Sequence, residues 1–294
     1  KDTINYHTML PQHCVRLLRP TILLTRTSRC FSSPSETIRT QYSNVDQREV
    51  ENLSKQSSEW WDPQGPIRGL HAMNSLRVPL IRDGLIATGA VDKSLIQKPN
   101  VLESLNILEV GCGGGILTEA LAKLHSNVVG IDPSEKLISV AKEHAKESAT
   151  LRPEHLQYHV ETIEQHAAKH AERYDAVVAS EVLEHVNDKV AFVEQCLAAL
   201  KPGGSMFLTT INKTTPSWLG AIVAAEQIFH LVPEGTHDWD KFISPLDLQR
   251  ILSSYNCTTI LVHGMFYQFW SNQWCWTKNT EINYALHAVK MKEQ

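Results

Sequence analysis

The segment that most constrains this chain is Glu109-Val110-Gly111-Cys112-Gly113-Gly114-Gly115, set directly after a short apolar run at 106–110 and before a helix-like stretch at 116–124. Glycines at such a junction let the backbone turn sharply and lie against a ligand where a Cβ would collide. Strand, glycine turn and helix make the first half of a β-α-β unit, and the rhythm continues. Apolar strands are expected at 127–131, 156–160, 174–179 and 205–210, helices at 134–147 and 190–200, and a turn at Lys201-Pro202-Gly203-Gly204. Short apolar strands alternating with helices imply a parallel sheet covered on both faces. A helix at 245–253 and strands at 258–263 and 283–289 close the pattern. Ahead of it, helices are expected at 45–61, before Pro63, and at 71–85, followed by a polar linker at 92–103.

Spacing sharpens the glycine signal. Asp132 ends the second expected strand, 21 residues after Gly111. In a doubly wound sheet that puts a carboxylate beside the ribose hydroxyls of a bound nucleoside. Dinucleotides and S-adenosylmethionine both use this geometry. Ile116 occupies the sixth position of the loop and breaks the G-x-G-x-x-G phosphate fingerprint, while Glu109 stands where an amino-acid ammonium could be held. Both features favour S-adenosylmethionine. A tight turn without a ligand is the plainest alternative.

With these residues in view, the sequence resembles the class I S-adenosylmethionine-dependent methyltransferases, and within them the ubiquinone-biosynthesis O-methyltransferase family. The resemblance runs from about Trp60 to Lys290 and rests on Trp60-Trp61-Asp62, Asn74-Ser75-Leu76-Arg77, the glycine loop, Ser180-Glu181-Val182-Leu183-Glu184-His185-Val186 and Pro233-Glu234-Gly235-Thr236-His237-Asp238. The glycine loop and Lys-Pro-Gly-Gly mark only the superfamily, whereas Trp-Trp-Asp and Gly-Thr-His-Asp are much more specific. The resemblance implies an α/β, Rossmann-like fold: a seven-stranded, mostly parallel sheet with helices on both faces and an apolar helical insertion after the fifth strand. It implies an O-methyltransferase of polyprenylated dihydroxybenzoate and demethylubiquinol-type intermediates, with cofactor-binding positions Arg77, Gly111, Asp132 and Ser180. A guanidinium at 77 suits the methionyl carboxylate, Gly111 allows close backbone approach, Asp132 accepts from the ribose, and Ser180 lies at the carboxyl edge where such sheets bind ligands. Glu161-Thr162 is a weaker candidate for flanking the adenine.

Glu181, Glu184 and His185 fall at i, i+3 and i+4, so a helix starting after Ser180 would put them on one face. Two carboxylates and an imidazole make a divalent-ion site, and the resemblance implies magnesium there. A cation on a catechol would lower the pKa of the attacking hydroxyl. The alternative is a helix start with acids near its positive end, in which case His185 becomes the leading general base. His237 and Asp238 form a second candidate pair, base and orienting carboxylate, in the connection after the fifth strand.

The rest of the chain sets context. Residues 1–40 carry Lys1, Arg16, Arg19, Arg26, Arg29 and Arg39 against only Asp2 and Glu36, and are rich in Ser and Thr. That composition is expected of a mitochondrial transit peptide. Residues 44–294 are expected to form one methyltransferase domain, with N-terminal helices at 45–90, a core at 104–212, a substrate or membrane insertion at 213–243 and closing elements at 244–290. None of the six cysteines forms a C-x-x-C pair, which argues for free thiols in a reducing compartment. The net charge of −4 gives no reason to expect nucleic acid. Residues 217–231 form an apolar stretch too short to span a bilayer. Its Trp218, Leu219, Ile222, Ile228 and Phe229 suit either an interfacial lid over the pocket or ordinary packing. The expected setting is therefore the matrix face of the inner membrane, with a lipid-tailed catechol or hydroquinone as acceptor and, by resemblance, other subunits of a coenzyme Q synthesis complex as partners. A methyltransferase of small soluble phenols and an inactive scaffold subunit are the rival readings.

Overall fold

The computed structural model describes residues 44, 47–214 and 241–292. The leader, the apolar stretch 217–231, His237 and Asp238 lie outside the described residues.

The chain opens with α1 (Gln47–Ser54) and a single 3-10 turn at Ser57–Glu59. The helix expected to reach residue 61 stops at Ser54, and Trp60, past the 3-10 turn, is buried. α2 (Arg68–Ala87) follows, with Gly69, Met73, Leu76, Arg77, Leu80, Ile81, Gly84 and Leu85 buried along one stripe at helical spacing.

The alternating core then appears as the apolar rhythm requires. β1 (Asn106–Val110) leads to α3 (Ile116–Ala122), β2 (Asn127–Asp132) to α4 (Glu135–Glu147), β3 (Leu156–Val160) to α5 (Ile163–Ala167), and β4 (Tyr174–Ser180) to α6 (Lys189–Ala199). Next come β5 (Leu200–Ile211), α7 (Pro245–Ser254), β6 (Cys257–Gln268), β7 (Gln273–Thr277) and β8 (Asn283–Lys290). The start of α4 is fixed by Ser134, whose hydroxyl accepts from the Leu137 N–H, and that of α6 by Asp188, which accepts from Ala191.

The strands form one sheet in the order β3-β2-β1-β4-β5-β8-β6-β7. The first five run parallel, β8 is antiparallel to β5 and to β6, and β7 is antiparallel to β6. Alternate residues of the central strands feed two cores. Leu108, Val177 and Leu208 pack with Phe192, Leu197 and Leu248 on one face. Ile107, Val178 and Phe207 pack with Met73, Leu80, Leu117 and Ile138 on the other.

Two features depart from the expectation. Among the described residues the sheet has eight strands, because Gln273-Trp274-Cys275-Trp276-Thr277 returns along β6 as a hairpin. And Lys201-Pro202-Gly203-Gly204 is no turn ahead of the fifth strand but an outward bulge inside it. Tyr174 pairs with Leu200 and Ala176 with Ser205, so the four residues loop out of the ladder, helped by Gly203 at φ 84°.

β1 and β4 are neighbours, while the chain leaves β1 toward β2 and β3 on one side and crosses to β4 on the other. The carboxyl ends of β1 and β4 therefore flank the switch point of the sheet, the place where open α/β sheets hold ligands.

Candidate active site

Both segments expected to carry the site meet at this switch point. The glycine loop leaves β1 with Gly111 at φ 70°, a left-handed conformation that costs a side chain about 1–2 kcal/mol. A Cβ on Gly111 would also fall 2.5 Å from Val182 Cγ2, just past β4. The next turn lies under Trp60, and a Cβ on Gly114 would fall 2.2 Å from its Cδ1. Trp61 holds the lid down by donating from Nε1 to the Gly114 carbonyl at 3.0 Å and stacking on His144. The Trp-Trp-Asp segment is thus the cover of the glycine loop.

Asp132 closes the loop from the end of β2. One carboxylate oxygen accepts from the Gly113 N–H at 3.0 Å and the other from Ser134 N–H at 2.8 Å. Each oxygen keeps a second lone pair for a ribose hydroxyl. Burial pushes its pKa up to about 6, against the pull of these two N–H groups and of His185.

Arg77 comes in from α2 and is 5 % exposed. Its Nε and one terminal nitrogen donate to Asn74 Oδ1, that nitrogen also to the Leu70 carbonyl at 2.8 Å, and the other terminal nitrogen to Ser180 Oγ at 3.0 Å. Ser180 meets Thr209 on β5 at 2.7 Å, and the Thr209 hydroxyl donates to Glu181 Oε1 at 2.8 Å. With its one proton on Glu181, Thr209 accepts from Ser180. Two carboxyl groups, Glu109 and Glu181, thus act through space on one buried guanidinium. Burial lifts Glu109 to about 7, opposed by its bond from Thr118 and by Arg77. Glu181 is raised as well, first by burial and then by the neighbouring charge of Glu184.

The segment after β4 corrects one expectation. No helix starts behind Ser180. Glu181 takes a left-handed backbone, φ 56°, with its N–H on the Thr209 carbonyl, and only a 3-10 turn follows at Leu183–His185. Glu181, Glu184 and His185 therefore do not share a helical face. Glu184 is buried and accepts from Thr210 Oγ1 at 2.8 Å. Among the described residues no group of three His, Cys, Asp or Glu side chains is arranged to hold a metal ion. The residues present do not fit the expected magnesium site. His185 stands within electrostatic reach of both Asp132 and Glu181. Thr162 forms a capping box with Gln165, and Glu161 pairs with Lys169 and His166.

Thr209, Thr210, Thr118 and Asn74 are the partners that motif reading missed. The adjacent threonines had a readable signal, since they are the only polar pair ending an otherwise apolar strand, Met206-Phe207-Leu208.

The arrangement fits S-adenosylmethionine in its charge balance, since the site holds more buried carboxyl groups than cations. A ligand with an ammonium and a sulfonium supplies the missing positive charge, and Arg77 answers its carboxylate.

Comparisons with known proteins agree. A family model described as a methyltransferase domain matches residues 82–262. The ubiquinone biosynthesis O-methyltransferase, mitochondrial, of Rattus norvegicus is 46% identical over 250 residues, 85% of this chain and 71% of that protein. The ubiquinone biosynthesis O-methyltransferase of Methylobacterium nodulans is 39% identical over 247 residues, 84% of this chain and 96% of that protein. Among solved structures, the magnesium protoporphyrin IX methyltransferase of Synechocystis with bound SAH shares the fold, with TM-score 0.50 and 21% identity over 73% of this chain and 82% of that one. With a methyltransferase cleft on the page and relatives matched along most of its length, the chain belongs to the ubiquinone biosynthesis O-methyltransferase family, enzymes that use S-adenosylmethionine as methyl donor.

Proposed function

We propose that this enzyme methylates a ring hydroxyl of a polyprenylated catechol or hydroquinone on the route to ubiquinone, in mitochondria, at the matrix face of the inner membrane and within a multiprotein quinone-synthesis assembly. The observation that carries the chemistry is the buried Arg77 at the switch point with Glu109 and Glu181 in its electrostatic reach. The relatives' names and the basic leader support the pathway and the compartment.

Bound there, S-adenosylmethionine supplies a methyl group on a positively charged sulfur, open to in-line displacement by a phenol oxygen. The protein's part is positional and electrostatic. Asp132 and the Gly113 N–H fix the ribose end of the cleft. Arg77, held by Asn74 and Ser180, faces the carboxylate end. Glu109 and Glu181 balance the donor's positive charge. His185 receives the phenol proton on a ring nitrogen, and His237 with Asp238 is the second pair proposed for that role.

No step runs through a divalent cation, since Glu181, Glu184 and His185 do not come together as a three-ligand set. Methyl-transfer assays on a prenylated catechol, with and without chelator, test both points. Transfer to the prenylated acceptor supports the reading, and transfer only to small soluble phenols overturns it. Activity lost on chelation and restored by Mg2+ would reinstate the cation at these residues.

A further inference from the structure

The β6–β7 hairpin contributes no residue to the cleft, yet it projects from the same edge of the sheet. Ser180 pairs with Thr209, Thr209 with Ala285, and Ala285 with His263, so His263 marks the level of the site on β6. β6 continues to Gln268, its last stretch from Phe266 paired only with β7. At ~3.3 Å per strand residue, the turn after Gln268 stands about 20 Å beyond the Ser180–Thr209 row.

The chemistry of this tip is unlike the rest of the surface. Phe266 is 40 % exposed, Phe269 51 % and Trp270 66 %, and the last two rings pack edge to face. From Phe266 to Thr277 there is no Asp, Glu, Lys or Arg, only aromatics interleaved with Gln268, Ser271, Asn272, Gln273, Cys275 and Thr277. Exposed aromatics with uncharged polar neighbours suit the zone between headgroups and acyl chains. Behind the tip, Trp274 donates from Nε1 to the Gly69 carbonyl, which ties the hairpin to the start of α2. Arg68, beside Gly69, thus sits near the level of the Tyr267–Trp274 pair, one residue pair behind the turn that carries Trp270. Among the described residues no carboxylate pairs with Arg68. An apolar tip with no acid in it and a cation one headgroup layer back is complementary to an anionic bilayer.

We propose that the hairpin tip, Phe266, Phe269 and Trp270, enters the interface of an anionic lipid bilayer, with Arg68 at headgroup depth, and so turns the mouth of the cleft toward the membrane. The orientation rests on the reading of a lipid-tailed acceptor, whereas the partitioning itself does not.

The test is co-sedimentation of the full chain with neutral phosphatidylcholine vesicles and with vesicles that also contain an anionic phospholipid. The wild type is expected to bind the anionic vesicles. The double variant Phe269→Ser, Trp270→Ser should partition at least about ten-fold less, as expected when two aromatic side chains stay in water. Trp270→Phe should keep binding. Arg68→Gln should weaken binding to anionic vesicles alone. Met291→Ser, an exposed site at the opposite edge of the sheet, should change nothing. S-adenosylmethionine affinity by calorimetry should stay at the wild-type value in all of them, which shows that they are folded. Unchanged sedimentation of the double variant overturns the proposal. So does loss of a dimer on size exclusion at unchanged lipid binding, which would make the tip a self-association surface. If the hairpin governs partitioning but no prenylated catechol is methylated, the acceptor assignment falls and the bilayer contact stands.

Discussion

Arg77 and Glu181 are joined without touching. A guanidinium N–H donates to Ser180, Ser180 to Thr209 and Thr209 to Glu181, so three hydrogen bonds run in one direction from a buried cation to a half-buried carboxyl group. The line crosses from α2 over β4 to β5 and ties the expected cofactor contact to the left-handed turn that follows β4. Its middle members are fixed in sense, because each hydroxyl has one proton to give.

Thr209→Val should break this line while keeping the shape of the side chain. Ser180 loses its acceptor and Glu181 its donor, which costs about 1–3 kcal/mol for each buried group left unpaired. The midpoint of urea unfolding should fall accordingly, and S-adenosylmethionine should bind more weakly by calorimetry. Thr209→Ser, which restores the hydroxyl, should recover most of both.

Gly111→Ala meets two obstacles, a left-handed backbone and Val182 Cγ2 at 2.5 Å. Overpacking of this kind costs about 1–3 kcal/mol, on top of about 1–2 kcal/mol for the conformation. Calorimetric titration with S-adenosylmethionine should show binding weakened at least about a hundred-fold, in proportion to that cost. Adding Val182→Ala removes the clash but not the backbone strain, so it should recover part of the affinity. Full recovery would mean that the conformation of the loop is immaterial.

Binding of the donor should release protons. Glu109 near 7 and Asp132 near 6 hold protons in the free protein at mildly acid pH because burial penalises their charge. A ligand bringing positive charge lowers both values and expels protons. Calorimetry at pH 6.5 in buffers of different ionisation enthalpy should therefore report proton release, shrinking as the pH is raised above 8. Glu109→Gln should reduce the number released.

The same shifts fix the sign of the pH dependence of stability. Glu109 binds its proton more tightly folded than unfolded, so its contribution is fully present below the ordinary glutamate value and is lost as pH rises through about 7. Asp132 behaves alike up to about 6. Chemical denaturation without ligand should thus show stability contributed by these two groups declining between about pH 4 and pH 7. Glu109→Gln should flatten the upper part of that decline.

Much of this was readable from the chain. The apolar runs Ile107-Leu108 and Val177-Val178 and the glycine turn between strand and helix are local signals, so β1 to β4 fell where periodicity placed them. Asp132 was legible because spacing along a β-α-β unit is fixed by geometry. What was not legible depends on neighbours distant in sequence. The aromatic alternation Trp274-Cys275-Trp276 becomes a strand only because β6, paired with β8 on one side, offers a free edge on the other. Glu181 looked like the first residue of a helix, but its N–H is taken by Thr209 on another strand, which holds it in a left-handed turn and takes the three side chains off a common helical face. Lys-Pro-Gly-Gly reads as a turn in any local account; the ladder with β4 resumes on its far side and makes it a bulge.

β8 comes last of the strands in the chain yet is seated between β5 and β6. Until it arrives, the apolar face of β5 at Met206, Phe207 and Leu208 has an open flank on a growing polypeptide. The sheet is therefore closed between β5 and β6 only after β6 and β7 have been made, a late closure that favours dependence on chaperones during biogenesis.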